Sequence, residues 1–266
     1  MPRLPFYQVD AFAAESFGGN PAGVVPLDDW LADDVLQAIA AENNLPETAF
    51  VVPAAAGAAA DFDLRWFTPT MEVDLCGHAT LATAYTLTVL RGSTAARLVF
   101  DSRSGLLPVT RRGDVFTLDF PANPPEPSDD AGTFAMALGA EPTATLRAPN
   151  FGVAVFSNED NVRKLSPDMA RVAEQSDLLG LIATAPGRDV DVVSRFFAPQ
   201  AGIPEDPVTG AAHTVLTPYW ARRLGRSALT ARQISARGGD LSLELADTRV
   251  RIGGHCALYL DGTIHV

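Results

Sequence analysis

The sequence predicts an α+β fold of two pseudo-symmetric halves, each a curled, barrel-like mixed β-sheet around a central helix. The first observation is an internal repeat. An Arg-aromatic-Phe-x-Pro segment begins at Arg65 and recurs at Arg195, and each copy is followed by an acidic loop, a glycine and an apolar run. The offset is 130 residues at the arginines and 133 at Gly77 and Gly210, about half of the chain. We interpret this repeat as a duplication.

The second observation concerns the helices that follow the repeats. Residues 77–90 and 210–223 are predicted to be helical and are apolar on nearly every side, which is typical of buried helices. Gly92 and Gly225 stand where a glycine ends a helix. In a half that is rich in strands, the simplest way to bury such a helix is to wrap the sheet around it.

The other elements are predicted from local patterns. Asp28 or Asp29 is expected to cap a helix whose apolar face carries Leu31, Leu36 and Ile39. Segments rich in β-branched and aromatic residues predict strands. These are residues 6–12, 22–26, 48–52, 62–67, several within 98–120, 151–157, 178–184, 189–198, 228–235, 240–245, 248–252 and 256–260.

A proline-rich segment divides the chain. Residues 121–127 contain four prolines and are predicted to be the linker between the repeats. The N-terminal half is therefore expected to span residues 1–120, and the C-terminal half residues 128–266.

Composition and charge exclude several classes of partner. The chain has 266 residues, of which 47% are hydrophobic and 20% charged, an ordinary globular mixture. A net charge of −12 disfavours nucleic acid and the negative leaflet of a membrane. No stretch approaches the roughly 20 apolar residues that span a bilayer, and the first residues do not have the pattern of a signal peptide. The two cysteines make no disulfide framework, so we expect a reduced, cytoplasmic protein.

Neither an organic cofactor nor a metal is expected. The chain has a single lysine, Lys164, in a polar stretch, which argues against pyridoxal phosphate chemistry. The glycine-rich residues 18–23 lack the spacing of a nucleotide-binding loop and predict a turn. The pairs Cys76 with His78 and His255 with Cys256 are poorly spaced for a zinc finger.

The candidate site lies at the starts of the two central helices. If the halves face each other, both helices begin at one cleft, where backbone N–H groups and helix dipoles attract a carboxylate. Gly77 and Gly210 either allow a ligand to approach the backbone closely or only relieve steric crowding at the helix starts. Cys76, which aligns with Thr209 of the other copy, is either a thiol base or a small packing residue. His78 either binds a substrate carboxylate or hydroxyl, or shuttles a proton, or is only a capping or core histidine.

Several segments in chain order resemble the phenazine biosynthesis PhzF-like family. They are Val9-Asp10-Ala11-Phe12, Phe17-Gly18-Gly19-Asn20-Pro21-Ala22-Gly23-Val24, Pro46-Glu47-Thr48-Ala49-Phe50, Arg65-Trp66-Phe67-Thr68-Pro69, Cys76-Gly77-His78-Ala79-Thr80 and Glu205-Asp206-Pro207-Val208-Thr209-Gly210. The resemblance implies the fold of diaminopimelate epimerase, a homodimer, and an isomerase that needs neither metal nor organic cofactor.

The resemblance also implies roles for individual residues. Local pattern alone makes Glu47 a solvated carboxylate, but it corresponds to the glutamate that moves a proton between ring carbons in the phenazine enzyme. His78 and Asp206 correspond to substrate-binding residues, and the glycine amides at the helix starts receive the substrate. Ala211 stands where phenazine-type members have a substrate-contacting serine, so the phenazine substrate itself does not follow from the resemblance.

The resulting hypothesis is proton transfer on a small carboxylic acid, either cyclic or derived from an amino acid. Glu47 is the predicted general base and then general acid, while His78 and Asp206 orient polar groups of the substrate. One alternative is an amino-acid epimerase or racemase of the same fold that uses Cys76 as a base. The other is a non-catalytic protein that binds a small acid.

Overall fold

The computed structural model describes residues 3–266 of the chain. The strands are β1 (Arg3–Ala11), β2 (Asn20–Pro26), β3 (Glu47–Pro53), β4 (Phe62–Phe67), β5 (Glu72–Val73), β6 (Arg97–Asp101), β7 (Leu107–Arg112), β8 (Val115–Pro121), β9 (Glu126–Pro127), β10 (Ala144–Ala148), β11 (Phe151–Val155), β12 (Gly180–Pro186), β13 (Val192–Ala198), β14 (Ile203–Asp206), β15 (Ala228–Gln233), β16 (Gly239–Ala246), β17 (Arg249–Gly254) and β18 (Cys256–His265). The α-helices are α1 (Asp33–Asn43), α2 (Gly77–Tyr85), α3 (Ala131–Leu138), α4 (Glu159–Arg163), α5 (Met169–Ala173) and α6 (Gly210–Leu224).

The chain divides into two compact units. The first runs to Asp119 and also includes Gly253–Val266, while the second is the continuous segment Phe120–Ile252. The sequence assigned the last residues to the C-terminal half, whereas the structure assigns them to the N-terminal unit. The reason is that β18 pairs antiparallel with β1 along the whole of β1.

The two units have the same strand connectivity. In the first unit β2 pairs parallel with β3, β3 antiparallel with β4, and β4 parallel with β6. In the second, β11 pairs parallel with β12, β12 antiparallel with β13, and β13 parallel with β15. In each unit the short strand that leads toward the central helix, β5 or β14, pairs antiparallel with the strand before it. The common topology agrees with the duplication inferred from the repeated sequence.

Each unit contains one long apolar helix packed on its own sheet. Helix α2 contacts β1, β2, β3, β7 and β18, and all its residues from His78 to Ala84 are buried. Helix α6 contacts β15 and β16, and the indole N–H of Trp220 donates to the Thr184 hydroxyl of β12 at 3.0 Å. The predicted burial of both helices is therefore confirmed.

The ends of these helices also agree with the prediction. Helix α2 continues as a π-helical stretch, Thr86–Leu90, before Gly92 adopts a positive φ of 79°. Helix α6 ends at Leu224, and Gly225 has a φ of 69°. Glycine adopts this left-handed conformation at the end of a helix at little cost because it lacks a Cβ atom. Within residues 3–266, no helix is long and apolar enough to cross a membrane.

Helix α6 carries a proline that is accommodated by the segment predicted as a linker. Pro218 lacks an amide hydrogen, so the carbonyl of Thr214 loses its helical partner. The amide of Asn123 donates to this carbonyl at 3.1 Å. Strand β9, also within residues 121–127, pairs with β10. This segment is thus a bound part of the second unit.

The predicted cap of the first helix is wrong. Helix α1 begins at Asp33 after Ala32, and Ala32 makes no side-chain capping bond in the described chain. The Asp29 carboxylate instead accepts from the amide of Trp30 at 2.8 Å. Asp33 and Asp34 lie in the first turn, where negative charge favours the helix dipole. Asp29 therefore bonds to the amide of its immediate neighbour and not to an amide of α1.

Helices α3 and α5 were not predicted, because they are short and their sequences show no strong period. The polar stretch that contains Lys164 has the pattern of a solvated helix face, and α4 lies within it. All three helices complete the core of the second unit. Phe134 and Leu138 of α3, Val162 of α4 and Val172 of α5 are buried in one apolar cluster with strand residues such as Phe197.

Close packing in the second unit predicts that Gly180→Ala destabilises the fold. A Cβ atom at Gly180 would lie 2.3 Å from Cζ of Phe196 and 2.7 Å from the carbonyl oxygen of Phe197. We expect a loss of about 1–3 kcal/mol in the free energy of unfolding, typical of overpacking, measured by urea denaturation. The matched control is Gly132→Ala in α3, where nothing lies within 4 Å of an added Cβ. It should be neutral or stabilising by up to about 1 kcal/mol, and equal losses in both variants would contradict the prediction.

Candidate active site

Glu47 is the first residue of β3 and pairs with Ala22 of β2 in the parallel ladder. Its side chain is only 12% exposed, although local pattern suggested a solvated group. The carboxylate oxygen Oε2 is buried and has no hydrogen-bond partner among the residues that the structure describes. A buried acceptor without a donor is uncommon and costs free energy, so it requires an explanation.

Cys76 and His78 lie on either side of Gly77 at the start of α2, close to Glu47. Nδ1 of His78 is 3.5 Å from the Cys76 sulfur, and Nε2 is 3.2 Å from Oε2 of Glu47. The second contact has the length of an ion pair but lacks hydrogen-bond alignment, so Oε2 keeps its capacity to accept a proton. The fold thus brings three of the predicted site residues together at one helix start.

The charges of this group follow from its burial and its mutual contacts. Burial by itself lowers the pKa of His78, but its contacts with the Cys76 sulfur and the Glu47 carboxylate raise that pKa well above 6.5. Burial raises the pKa of the Cys76 thiol, and the Glu47 carboxylate raises it further. The Glu47 carboxylate therefore favours the imidazolium form of His78 and the thiol form of Cys76.

The second unit places Asp206 and Thr209 together at the start of α6. Asp206 ends β14 and is buried, and the Thr209 hydroxyl donates to its carboxylate at 2.5 Å. Gln233, fully buried at the end of β15, accepts from the Thr209 amide at 2.9 Å and donates to the Asp206 carbonyl at 2.7 Å. Gln233 thereby fixes the loop that precedes Gly210. The sequence gave no signal for Gln233, because its role depends on contacts with residues far away in the chain.

A neutral histidine lies one turn into the same helix. His213 is fully buried, and burial lowers its pKa to about 4. Nδ1 is 2.8 Å from the Thr209 carbonyl, which can only accept, so this nitrogen carries the proton. Nε2 is then the acceptor for the Ser194 hydroxyl at 3.4 Å. His213 therefore braces the helix start and is not a proton carrier at neutral pH.

The repeated arginines form the same ion pair in both units. In the first, Nε and Nη2 of Arg65 donate to the two carboxylate oxygens of Glu72 at 2.7 and 2.8 Å. In the second, Arg195 binds Glu205 with the same atoms at the same distances. Each guanidinium also lies over a phenylalanine ring, at 5.1 and 4.9 Å. The acidic residues after each repeat were the available signal for these pairs.

The fold therefore positions each helix start in the same way. A two-pronged pair ties the middle strand, β4 or β13, to the short strand that leads into the helix. Gly77 and Gly210 are the first residues of their helices, as the sequence predicted. The first amides of an α-helix have no carbonyl partner within the helix, so each start can receive an anion.

The sequence matches a known protein family. The sequence model described as phenazine biosynthesis-like protein matches residues 9–262. The chain belongs to this family. A relative 49% identical over 264 residues, covering 99% of this chain and 100% of its own, is an uncharacterized isomerase of Pseudomonas aeruginosa. The resemblance drawn from the motifs is confirmed, and the family relationship makes this chain an enzyme of the isomerase type.

Solved structures give the same fold. The crystal structure of a phenazine biosynthesis protein of the PhzF family from Enterococcus faecalis has a TM-score of 0.95 and 43% identity, with all of both chains covered. A hydroxyproline epimerase from Agrobacterium vitis has a TM-score of 0.59 at 12% identity, covering 98% of this chain and 92% of the epimerase. At that identity the epimerase shows the fold alone. The predicted fold class is confirmed.

The buried neutral His213 predicts a pH-dependent stability. Because its folded pKa is about 4 and the ordinary value is 6.5, the unfolded chain takes up a proton that the folded chain does not. Its contribution is fully present above pH 6.5 and is lost as the pH falls toward 4. Between pH 6.5 and 5 the loss should be about 2 kcal/mol.

The measurement is urea denaturation of the wild type and His213→Asn over this pH range. Asparagine retains an N–H near the position of Nδ1 but does not titrate, so the free energy of unfolding should fall less steeply with decreasing pH. Parallel curves for the two proteins would contradict the assignment, whatever the stability of the variant at neutral pH.

Proposed function

We propose that this chain is a cofactor-independent isomerase that moves a proton on a small carboxylic acid, either cyclic or derived from an amino acid. Glu47 acts as general base and then as general acid. The observation that carries the proposal is the buried carboxylate oxygen of Glu47 that lacks a hydrogen-bond partner among the described residues. An oxygen held in this state is available to take a proton from a substrate carbon and return it to another.

His78 complements Glu47 in this proposal. As an imidazolium it balances the carboxylate charge, and its N–H groups can bind a negatively charged oxygen of the substrate. Negative charge that develops on the substrate during proton removal would be stabilised by this cation and by the amides at the start of α2. The raised pKa of His78 supports the cationic role rather than a role as the base.

Asp206 and Thr209 are proposed to orient polar groups of the substrate. The Thr209 hydroxyl donates to the Asp206 carboxylate, which fixes the orientation of this acceptor. The amide of Gly210 and the positive end of α6 are proposed to receive a carboxylate. The chain is further proposed to act as a homodimer in the cytoplasm.

Two other functions remain to be separated from this one. An epimerase or racemase of the same fold would use Cys76 as a base, but the raised pKa of this buried thiol disfavours a thiolate. A protein that only binds a small acid would return its ligand unchanged, without hydrogen from the solvent.

Replacement of Glu47 by glutamine tests the general acid/base role. The assay is deuterium incorporation from D₂O into a panel of small cyclic and amino-acid-derived acids, followed by NMR. We expect Glu47→Gln to lower the rate by about 10²–10⁴, the usual contribution of a positioned acid/base. Glu42→Gln, which alters an exposed carboxylate in α1, is the matched control and should leave the rate unchanged. Activity retained in Glu47→Gln would exclude the assignment, and no incorporation by the wild type would favour a binding protein.

Replacement of Cys76 by alanine separates the proposal from the epimerase alternative. The thiol contacts His78 but carries no proton in the proposed reaction. We therefore expect a loss of at most about tenfold in kcat/KM, the scale of one hydrogen bond. A loss as large as that of Glu47→Gln would favour the thiol base instead.

A further inference from the structure

We propose that Glu47, Cys76 and His78 form a binding site for a zinc-type divalent metal ion. The site is separate from any requirement of the isomerase reaction. Each residue offers one donor atom, and these atoms all lie within 4.8 Å of one another. The proposal concerns the protein without substrate, so it can be tested before the substrate is known.

The spacing of the donors is close to that of a tetrahedral site. Zinc bonds of about 2.0–2.3 Å at tetrahedral angles place neighbouring donor atoms roughly 3.3–3.6 Å apart. Nε2 of His78 is 3.2 Å from Oε2 of Glu47 and 4.0 Å from the Cys76 sulfur. One ion also requires the Cys76 sulfur and the Glu47 oxygen, which lie within 4.8 Å of each other, to be about 3.5 Å apart. Rotation of the imidazole together with adjustment of the Cys76 and Glu47 side chains would therefore close the site.

The chemistry of the donors selects the metal. Sulfur, imidazole nitrogen and carboxylate oxygen together are a donor set typical of zinc, whereas magnesium and calcium prefer oxygen alone. The Glu47 oxygen is buried, lacks a hydrogen-bond partner in the described chain and lies 3.2 Å from the imidazole. It is the kind of acceptor that a cation would satisfy. The arrangement was missed from sequence because Glu47 is far in the chain from the Cys-x-His pair.

The charges of the metal-bound state balance. Metal ligands bind in their deprotonated forms, so binding of one Zn²⁺ releases the thiol proton, and any proton on the ligating imidazole nitrogen, to solvent. The carboxylate, the thiolate and the neutral imidazole then surround a dication, and this buried group has zero net charge.

Three protein donors leave a fourth position open for water or a ligand carboxylate. If Glu47 performs the proposed proton transfer, bound zinc occupies the oxygen and the imidazole that the reaction uses. Zinc and catalysis then exclude each other. This consequence depends on the proposed function, but the metal site itself does not.

The test is a titration of the wild-type protein with Co²⁺, which reports thiolate coordination by a charge-transfer band in the near ultraviolet and tetrahedral geometry by strong visible bands. Zn²⁺ is then added to displace the cobalt. We expect one equivalent to bind with both signatures. Cys76→Ala should lose the charge-transfer band and bind at least about 100-fold more weakly, because even loss of groups that only orient ligands costs about 10- to 100-fold.

Cys256→Ala is the matched control, since it removes the other free cysteine and should leave the band intact. Thermal melts of the metal-free variants check that each is folded, and zinc should raise the melting temperature of the wild type but not of Cys76→Ala. A spectrum of octahedral, oxygen-bound cobalt, or a band that survives in Cys76→Ala, would overturn the proposal. Zinc binding without inhibition of deuterium exchange would instead refute the role of Glu47 and leave the metal site standing.

Discussion

The two-pronged arginine–glutamate pair is the interaction on which the site geometry in each unit depends. It joins a central strand to the short strand just before the central helix, so it fixes where the helix begins. Arg65 and Glu72 are 20% and 12% exposed, and Arg195 and Glu205 are 13% and 22% exposed, so water screens these pairs only in part. In the second unit, removal of one partner would leave the other charge half-buried without this counter-ion. In the first unit, Asp33 would still contact Arg65, and Arg103 would still contact Glu72. Such a pair is a stringent constraint, and both copies of the repeat retain it.

The start of α2 holds charged side chains that are largely buried from solvent. Glu47 cannot be desolvated alone, and the imidazolium of His78 is its nearest compensation. The same closeness that balances the charges also aligns a proton acceptor, a proton donor and a thiol within a few ångströms. The proposed proton transfer and the proposed metal binding are therefore two uses of one electrostatic arrangement, and they differ in whether protons or a dication occupy it.

Local pattern predicted most strands and both central helices, because strands and helices have short sequence periods and both helices end at glycines. The duplication was predicted because a motif recurs in the same order in the second half of the chain. It failed where structure depends on partners distant in sequence. Glu47 entered the site through the family resemblance, since only the parallel pairing of β2 with β3 and the packing of α2 bring it to His78. Gln233 was missed for the same reason. The misplaced cap of α1 shows that an aspartate before an apolar run can bond to its immediate neighbour instead.

The return of β18 to β1 reverses the usual order of folding during synthesis. Growing chains generally fold their N-terminal parts first as the ribosome releases them. Here β1 gains the partner β18 only after residues 256–265 have been made, and these residues follow the whole second unit in the chain. The second unit is continuous in sequence and is complete before then. The second unit is therefore synthesised completely before the sheet of the first unit has its last strand. During that interval the edge of β1 that later pairs with β18 is exposed and can pair with other chains.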